Sequence, residues 1–243
     1  MLKRKVILLL VFTAFAASIN AQLRPGFKAG YNLSGVMAGY LGDKIPEELK
    51  KTAGDPSNFH LKSGFHGGLI VDCPINDALA VQPGARFAMQ GFADKYTSNG
   101  DVIRNFSLYY LQIPINVQYR WNVYEETNVL FQAGPYVGMG LFGRQSFNRK
   151  GKSQDLSDSQ KKITFGSDND IQNAFDYGLS AGFGIEYQRF QLTLSYDFGL
   201  NKPTFYKRDA KSASYHVDMR NHNFSVSFAV IFGRRDPLQN QRD

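Results

Sequence analysis

The stretch YYLQIPINVQYR, residues 109–120, carries its apolar side chains at alternate positions. Tyr109, Leu111, Ile113, Ile115, Val117 and Tyr119 form one wholly apolar face, while Tyr110, Gln112, Pro114, Asn116, Gln118 and Arg120 form a largely polar one. A period of two belongs to an extended strand, because a helix returns to the same face only every 3.6 residues. Residues 175–188 repeat the pattern: Phe175, Tyr177, Leu179, Ala181, Phe183, Ile185 and Tyr187 oppose Asp176, Gly178, Ser180, Gly182, Gly184, Glu186 and Gln188.

Six further segments alternate in the same way. Phe27, Ala29, Tyr31 and Leu33 oppose Lys28, Gly30, Asn32 and Ser34, and Phe65, Gly67, Leu69 and Val71 oppose His66, Gly68, Ile70 and Asp72. Leu79, Val81, Pro83, Ala85, Phe87 and Met89 oppose Ala80, Gln82, Gly84, Arg86, Ala88 and Gln90. Apolar faces of a fifth, seventh and eighth strand run from Val129 through Pro135 to Leu141, through Leu192, Leu194, Tyr196 and Phe198, and through Phe224, Val226, Phe228, Val230 and Phe232. The expected fold is all-β with eight strands.

The connections say which kind of barrel. Those after the second, fourth and sixth strands are short (residues 74–77, 121–126 and 188–190), and those after the first, third, fifth and seventh are longer (39–60, 93–105, 144–170 and 201–220). Strict alternation of long and short belongs to an antiparallel up-and-down transmembrane β-barrel, with long extracellular loops and short periplasmic turns. A soluble eight-stranded barrel of lipocalin type would instead turn its apolar faces inward around a cavity. Tyr119, Trp121, Tyr124, Tyr187 and Phe190 gather near strand ends, as an interfacial aromatic girdle does, and favour the membrane barrel.

The N-terminus gives a route to that membrane. Lys3, Arg4 and Lys5 precede an apolar run over residues 6–17, and residues 18–21 are small and polar, ending at Ala21. The run is shorter than the roughly 20 residues of a transmembrane helix, so residues 1–21 read as a secretory signal peptide, with the barrel domain over 22–243 and a short charged tail at 233–243. Without the three basic residues of that segment, the 28 Lys and Arg fall to 25 against 21 Asp and Glu, and the net charge from +7 to +4. So small an excess on an exported chain argues against a nucleic-acid partner. The one cysteine, Cys73, excludes an internal disulfide.

YYLQIPINVQY (residues 109–119), QAGPYVG (132–138) and DYGLSAGFGIEY (176–187) resemble the recurrent strand motifs of the PorT-like family, small outer-membrane β-barrels of the Bacteroidota. The Ala21-Gln22 junction also resembles the export signals of that phylum. The resemblance implies a barrel of about eight strands in the cell outer membrane. It further implies a tie to protein export, since one branch of the family is needed by the type IX secretion system and the associated gliding.

Eight strands enclose an interior just wide enough for side chains to fill. On the inward parity stand Lys28, His66, Arg86, Gln112, Asn116, Arg120, Asp176, Glu186 and Asp197, with Gln132 and Tyr136, and these are expected to form a polar plug in which charges are paired. His66, Arg86 and Asp197 fall at similar mid-barrel heights when residues are counted from the periplasmic turns.

GMGLFG, residues 138–143, matches the G-x-G-x-x-G of a dinucleotide site. A polar loop follows it where a helix would be required, so no nucleotide cofactor is expected, and Gly138 and Gly140 read as residues that make room in the lumen. Pro135, just before it, calls for a bulge or a weak point in the ladder. His60 and His216 fall in expected loops, His222 points outward and only His66 inward, so neither a metal site nor a catalytic set is expected.

Residues 144–170 carry six basic and four acidic side chains, and residues 201–220 five basic and two acidic. Arg144, Arg149, Lys150, Lys152, Lys207, Arg208 and Lys211 are the candidates for meeting lipopolysaccharide phosphates or a protein of the secretion machinery. The expected role is a non-catalytic interaction or accessory barrel for protein export or surface assembly. The alternatives are a barrel enzyme that modifies lipids or cleaves peptides, and a narrow passive channel.

Overall fold

The computed structural model describes residues 23–39, 59–97, 101–149, 152–154, 162–165, 174–201, 204–207 and 215–233. The segment 1–21, expected as a signal peptide, and the expected tail beyond Gly233 lie outside the described residues. Eleven strands follow in order: β1 (Arg24–Gly39), β2 (Phe59–Pro74), β3 (Leu79–Thr97), β4 (Asp101–Tyr124), β5 (Thr127–Arg149), β6 (Lys152–Gln154), β7 (Lys162–Ile163), β8 (Phe175–Tyr187), β9 (Phe190–Gly199), β10 (Thr204–Lys207) and β11 (Tyr215–Ile231). Eight of them, β1-β2-β3-β4-β5-β8-β9-β11, pair antiparallel with their neighbours, and β1 closes on β11. This is the expected eight-stranded up-and-down barrel. β6 and β7 add to β5, and β10 adds to β11.

The wall turns its apolar side outward. Ile113, Phe131, Leu179 and Phe228 are exposed, whereas Gln82, Gln112, Gln118 and Gln191 on the opposite parity are fully buried. That is the reverse of a water-soluble core, and it suits hydrocarbon outside and a packed polar lumen within. The girdle residues Tyr119, Trp121, Tyr124, Tyr187 and Phe190 are exposed as expected.

Each periplasmic turn has a local cause. Asn76 closes the β2–β3 turn by accepting the amides of Ala78 (2.9 Å) and Leu79 (2.7 Å) on its side-chain oxygen. The β4–β5 and β8–β9 turns are two residues each and hold Glu125 (φ 34°) and Gln188 (φ 54°) in the left-handed region that such turns require.

Prolines interrupt the ladder without shifting it. The β4–β5 pairing passes from Pro114↔Tyr136 to Val117↔Ala133 in constant register, leaving Ile115 and Asn116 unpaired opposite Pro135 and Gly134. Of the two devices that Pro135 called for, the weak ladder point is the one used. The bulge lies further along, where Tyr109 pairs with Phe142 but Tyr110 with Gly140, so that Leu141 is inserted. Leu141 and Phe142 consequently both face outward, and Phe142 stacks on Tyr109 at 4.5 Å.

The loop boundaries need correction. Residues 93–105, expected as a long loop, are mostly strand, with β3 and β4 paired from Ala93↔Asn105 to Thr97↔Asp101. β5 likewise runs on to Arg149, and β11 begins at Tyr215. At 24 and 23 residues, β4 and β5 exceed the roughly 9 to 11 that cross a bilayer, so this hairpin stands well above the membrane. Alternation fades there because both faces of the sheet leave the hydrocarbon. His60 and His216, assigned to loops, are accordingly in β2 and β11.

Candidate functional site

The lumen holds three tiers of side chains, and the periplasmic one is ionic. Arg24 on β1, Asp72 on β2, Arg120 on β4 and Glu186 on β8 form a chain across the barrel. Arg24 donates to Asp72 Oδ2 from Nη2 (2.5 Å) and Nε (3.1 Å), and Arg120 Nη2 donates to Asp72 Oδ1 (2.5 Å). Arg120 Nε is shared between the two oxygens of Glu186 at 3.1 and 3.2 Å. Gln191 and Asn128 also donate to Glu186, and Gln118 accepts from Arg120. Two cations and two carboxylates thus balance where an isolated buried charge would be very costly.

The middle tier is built around Arg86 and His66. Arg86 donates from Nη2 to Asp197 Oδ2 (2.5 Å) and from Nε to Gln112 (2.9 Å), while Ser180 and Asn223 also donate to Asp197. His66 on β2 reaches across β1 to β11. Gly30, paired with both His66 and Ser227, allows this, because a Cβ there would sit 2.6 Å from the imidazole. The imidazole donates from Nδ1 to Asn32 Oδ1 (2.6 Å) and accepts the Ser227 hydroxyl on Nε2 (3.0 Å). The Asn32 amide nitrogen is itself donated to the Met89 carbonyl, which leaves its oxygen for His66 and sets this tautomer. Beside these groups lies a cavity of about 20 Å³, enough for one water-sized particle.

The outer tier turns apolar. Leu108, Tyr110 and Ile163 are buried together, with Phe106 and Phe165 packed on them, and Phe92 stacks on Phe106 at 4.6 Å. Phe165, from the segment after β7, lies over Gly140, where a Cβ would be 2.4 Å from its ring. Below this cap, Asp176 accepts from Tyr136 (3.4 Å) and Asn221 (3.2 Å).

A family model, "Outer membrane protein beta-barrel domain", matches residues 15–204. The chain belongs to this family. It is an outer-membrane barrel. No curated protein matches its sequence. Among solved structures it is similar to OprG from Pseudomonas aeruginosa (11% identity, 86% of this chain and 94% of that one, TM-score 0.46). It is also similar to Neisserial surface protein A (13%, 86% and 97%, TM-score 0.40) and to Ail of Yersinia pestis, solved in complex with the heparin analogue sucrose octasulfate (14%, 87% and 99%, TM-score 0.37).

The expected lumenal residues of this outer-membrane barrel divide among the tiers. Arg86 meets Asp197 and Gln112, Arg120 meets Glu186, and Lys28, Arg86 and Asn116 line the same cavity as His66. Asp176 stands apart near the cap. Sequence reasoning missed Arg24 altogether, and it left Asp72, though on the polar face, out of the lumenal network. It also expected a polar plug throughout, whereas the outer end is closed by aromatic and aliphatic side chains. Gly138 and Gly140 do make room, for Gln112 and Phe165 respectively.

Of the basic loop candidates, Arg144 is exposed on β5. Arg149, Lys152 and Lys207 are placed only by backbone, in β5, β6 and β10, and their side chains lie outside the described residues, as do Lys150, Arg208 and Lys211 entirely.

Proposed function

We propose that this outer-membrane barrel is a non-catalytic accessory for protein export or surface assembly. The observation that carries the reading is the use made of its two ends. The lumen is spent on holding the wall together, whereas β4 and β5 continue past the bilayer and collect β6 and β7 on β5. A sheet raised above the membrane offers partners a strand edge, with Arg144 exposed on it. The PorT-like character of residues 109–119, 132–138 and 176–187 supports a tie to type IX-like secretion, and lipopolysaccharide phosphates suit the same arginine. The reading is tested by deleting the gene and following secretion of cargo and its display at the surface. Loss of secreted cargo is expected, and normal secretion with altered lipid A would sink it.

A second reading, hydrolysis, has one observation in its favour. Ser227, His66 and Asn32 stand in the order of nucleophile, base and orienting group, with hydrogen bonds of 3.0 and 2.6 Å. Against it stand their near-complete burial and a cavity with room for only one water-sized particle. Covalent capture of Ser227 by a fluorophosphonate, abolished in His66→Gln, would establish this second reading.

A further inference from the structure

We infer that the mid-barrel cavity is a binding site for one small monovalent anion, held by Lys28, Arg86 and Ser195. The charges around this cavity do not balance. Arg86 has its carboxylate in Asp197, but Lys28 has none within 4.0 Å among the described residues, and its only hydrogen bond there is the one it donates to Gln82 (2.9 Å). Two of its three ammonium protons therefore have no partner among the described residues. Both residues are on the inward parity and neither is fully buried, so the surface they retain faces the lumen. Both line the same cavity.

The neutral groups on the cavity leave one donor and one acceptor unmatched, Ser195 and Asn116, so the charged groups decide the balance. Ser195 accepts from Gln132 (2.8 Å), which leaves its own proton free to donate. Ser180 and Ser227 have already committed theirs, to Asp197 and His66. Among the cavity-lining side chains the buried unpartnered acceptor is Asn116 Oδ1, while Lys28, Ser195 and Arg86 Nη1 keep donors with no partner among the described residues. One unmatched positive charge and a surplus of donors favour an anion over a cation, and a space of about 20 Å³ restricts it to a single halide, seated by a small outward shift of the flexible Lys28 side chain. Among the described residues the periplasmic tier is balanced, and the outer one sets Lys62, which donates to Ser107, against a carboxylate, Asp176.

The test uses the full mature chain refolded in detergent, with bromide as the crystallographic probe and chloride as the solution probe. Crystals soaked in sodium bromide should show one anomalous peak within hydrogen-bond reach of Lys28 Nζ. In solution, chloride should stabilise the folded barrel relative to gluconate at equal ionic strength, as a ligand of the native state does. Lys28→Met should weaken halide binding at least about tenfold, the worth of one charge-assisted hydrogen bond, and Ser195→Ala by a smaller factor of about three. If Lys28→Met fails to refold, Lys28→Gln carries the same expectation. A water in place of bromide, or an undiminished chloride effect in the Lys28 variants, would overturn the inference.

Discussion

Arg120 Nη2 and Asp72 Oδ1 lie 2.5 Å apart across the lumen, and neither side chain has any exposed surface. Asp72 also holds Arg24, and Arg120 also holds Glu186, so four strands are tied through one pair. Breaking a buried pair leaves its partner charged and unmatched, at a cost of about 3 to 5 kcal/mol. Arg120→Met should therefore destabilise the refolded barrel by that amount in urea unfolding. Arg120→Met with Glu186→Gln should cost less than the two single changes summed, by more than about 1 kcal/mol, because the second change removes the charge orphaned by the first. Strict additivity would show that the tier is not a network.

The two faces of β4 should respond oppositely to charge. Ile113 and Ile115 are exposed to lipid, and an arginine at either position near the midplane should cost about 2 to 4 kcal/mol. Gln112 is fully buried and accepts from Arg86, so Gln112→Glu, which keeps the acceptor and adds a charge beside a guanidinium, should be much milder. Unfolding of the three variants in one detergent compares them directly. Equal costs would contradict the assignment of faces.

The cap over the lumen rests on the absence of a side chain at Gly140. A Cβ there would lie 2.4 Å from the Phe165 ring, so Gly140→Val should expel the ring and loosen Ile163 beside it. With Cys73 replaced by Ser and a cysteine introduced by Ile163→Cys, maleimide labelling reads the opening. Gly140→Val should speed labelling about tenfold or more, which corresponds to about 1.4 kcal/mol of lost closure. Unchanged labelling would mean that Phe165 does not hold the cap shut.

The parts legible in the sequence are those where one face meets lipid. Alternation over residues 109–120 and 175–187 placed Gln112, Asn116, Arg120, Asp176 and Glu186 inside, where the structure has them. Arg24 escaped because its own stretch of alternation is one residue from Pro25 and had barely begun. Asp72 was on the polar face of its strand, but its importance lies in Arg120, 48 residues away, and one sequence carries no sign of that pairing. The upper parts of β3, β4 and β5 escaped for a different reason. Beyond the bilayer both faces leave lipid, so ADKYT and DVIRN, residues 93–97 and 101–105, lose the period of two although the ladder continues. Phe165 escaped because its polar surroundings look like a loop, and only Gly140 opposite, read as a residue that makes room, hinted at a ring to fill the space.

Passage through the lumen is opposed at separate heights, and this decides how conduction should respond to mutation. The Arg24–Asp72–Arg120–Glu186 chain crosses the periplasmic end, Arg86 and Asp197 meet in the middle, and Leu108, Tyr110, Ile163 and Phe165 close the outer end. An eight-stranded barrel has little interior beyond what side chains fill, so barriers in series must each be lowered before ions pass. In planar bilayers the wild type and Phe165→Ala alone should both be silent, since the two ionic tiers remain. Phe165→Ala combined with Arg120→Ala should also stay silent, because the Arg86–Asp197 tier remains, and adding Arg86→Ala should produce small openings, because only then is every barrier lowered. Steady conductance in the wild type would show that the tiers exchange partners fast enough to let ions through, and would favour the channel over the accessory barrel.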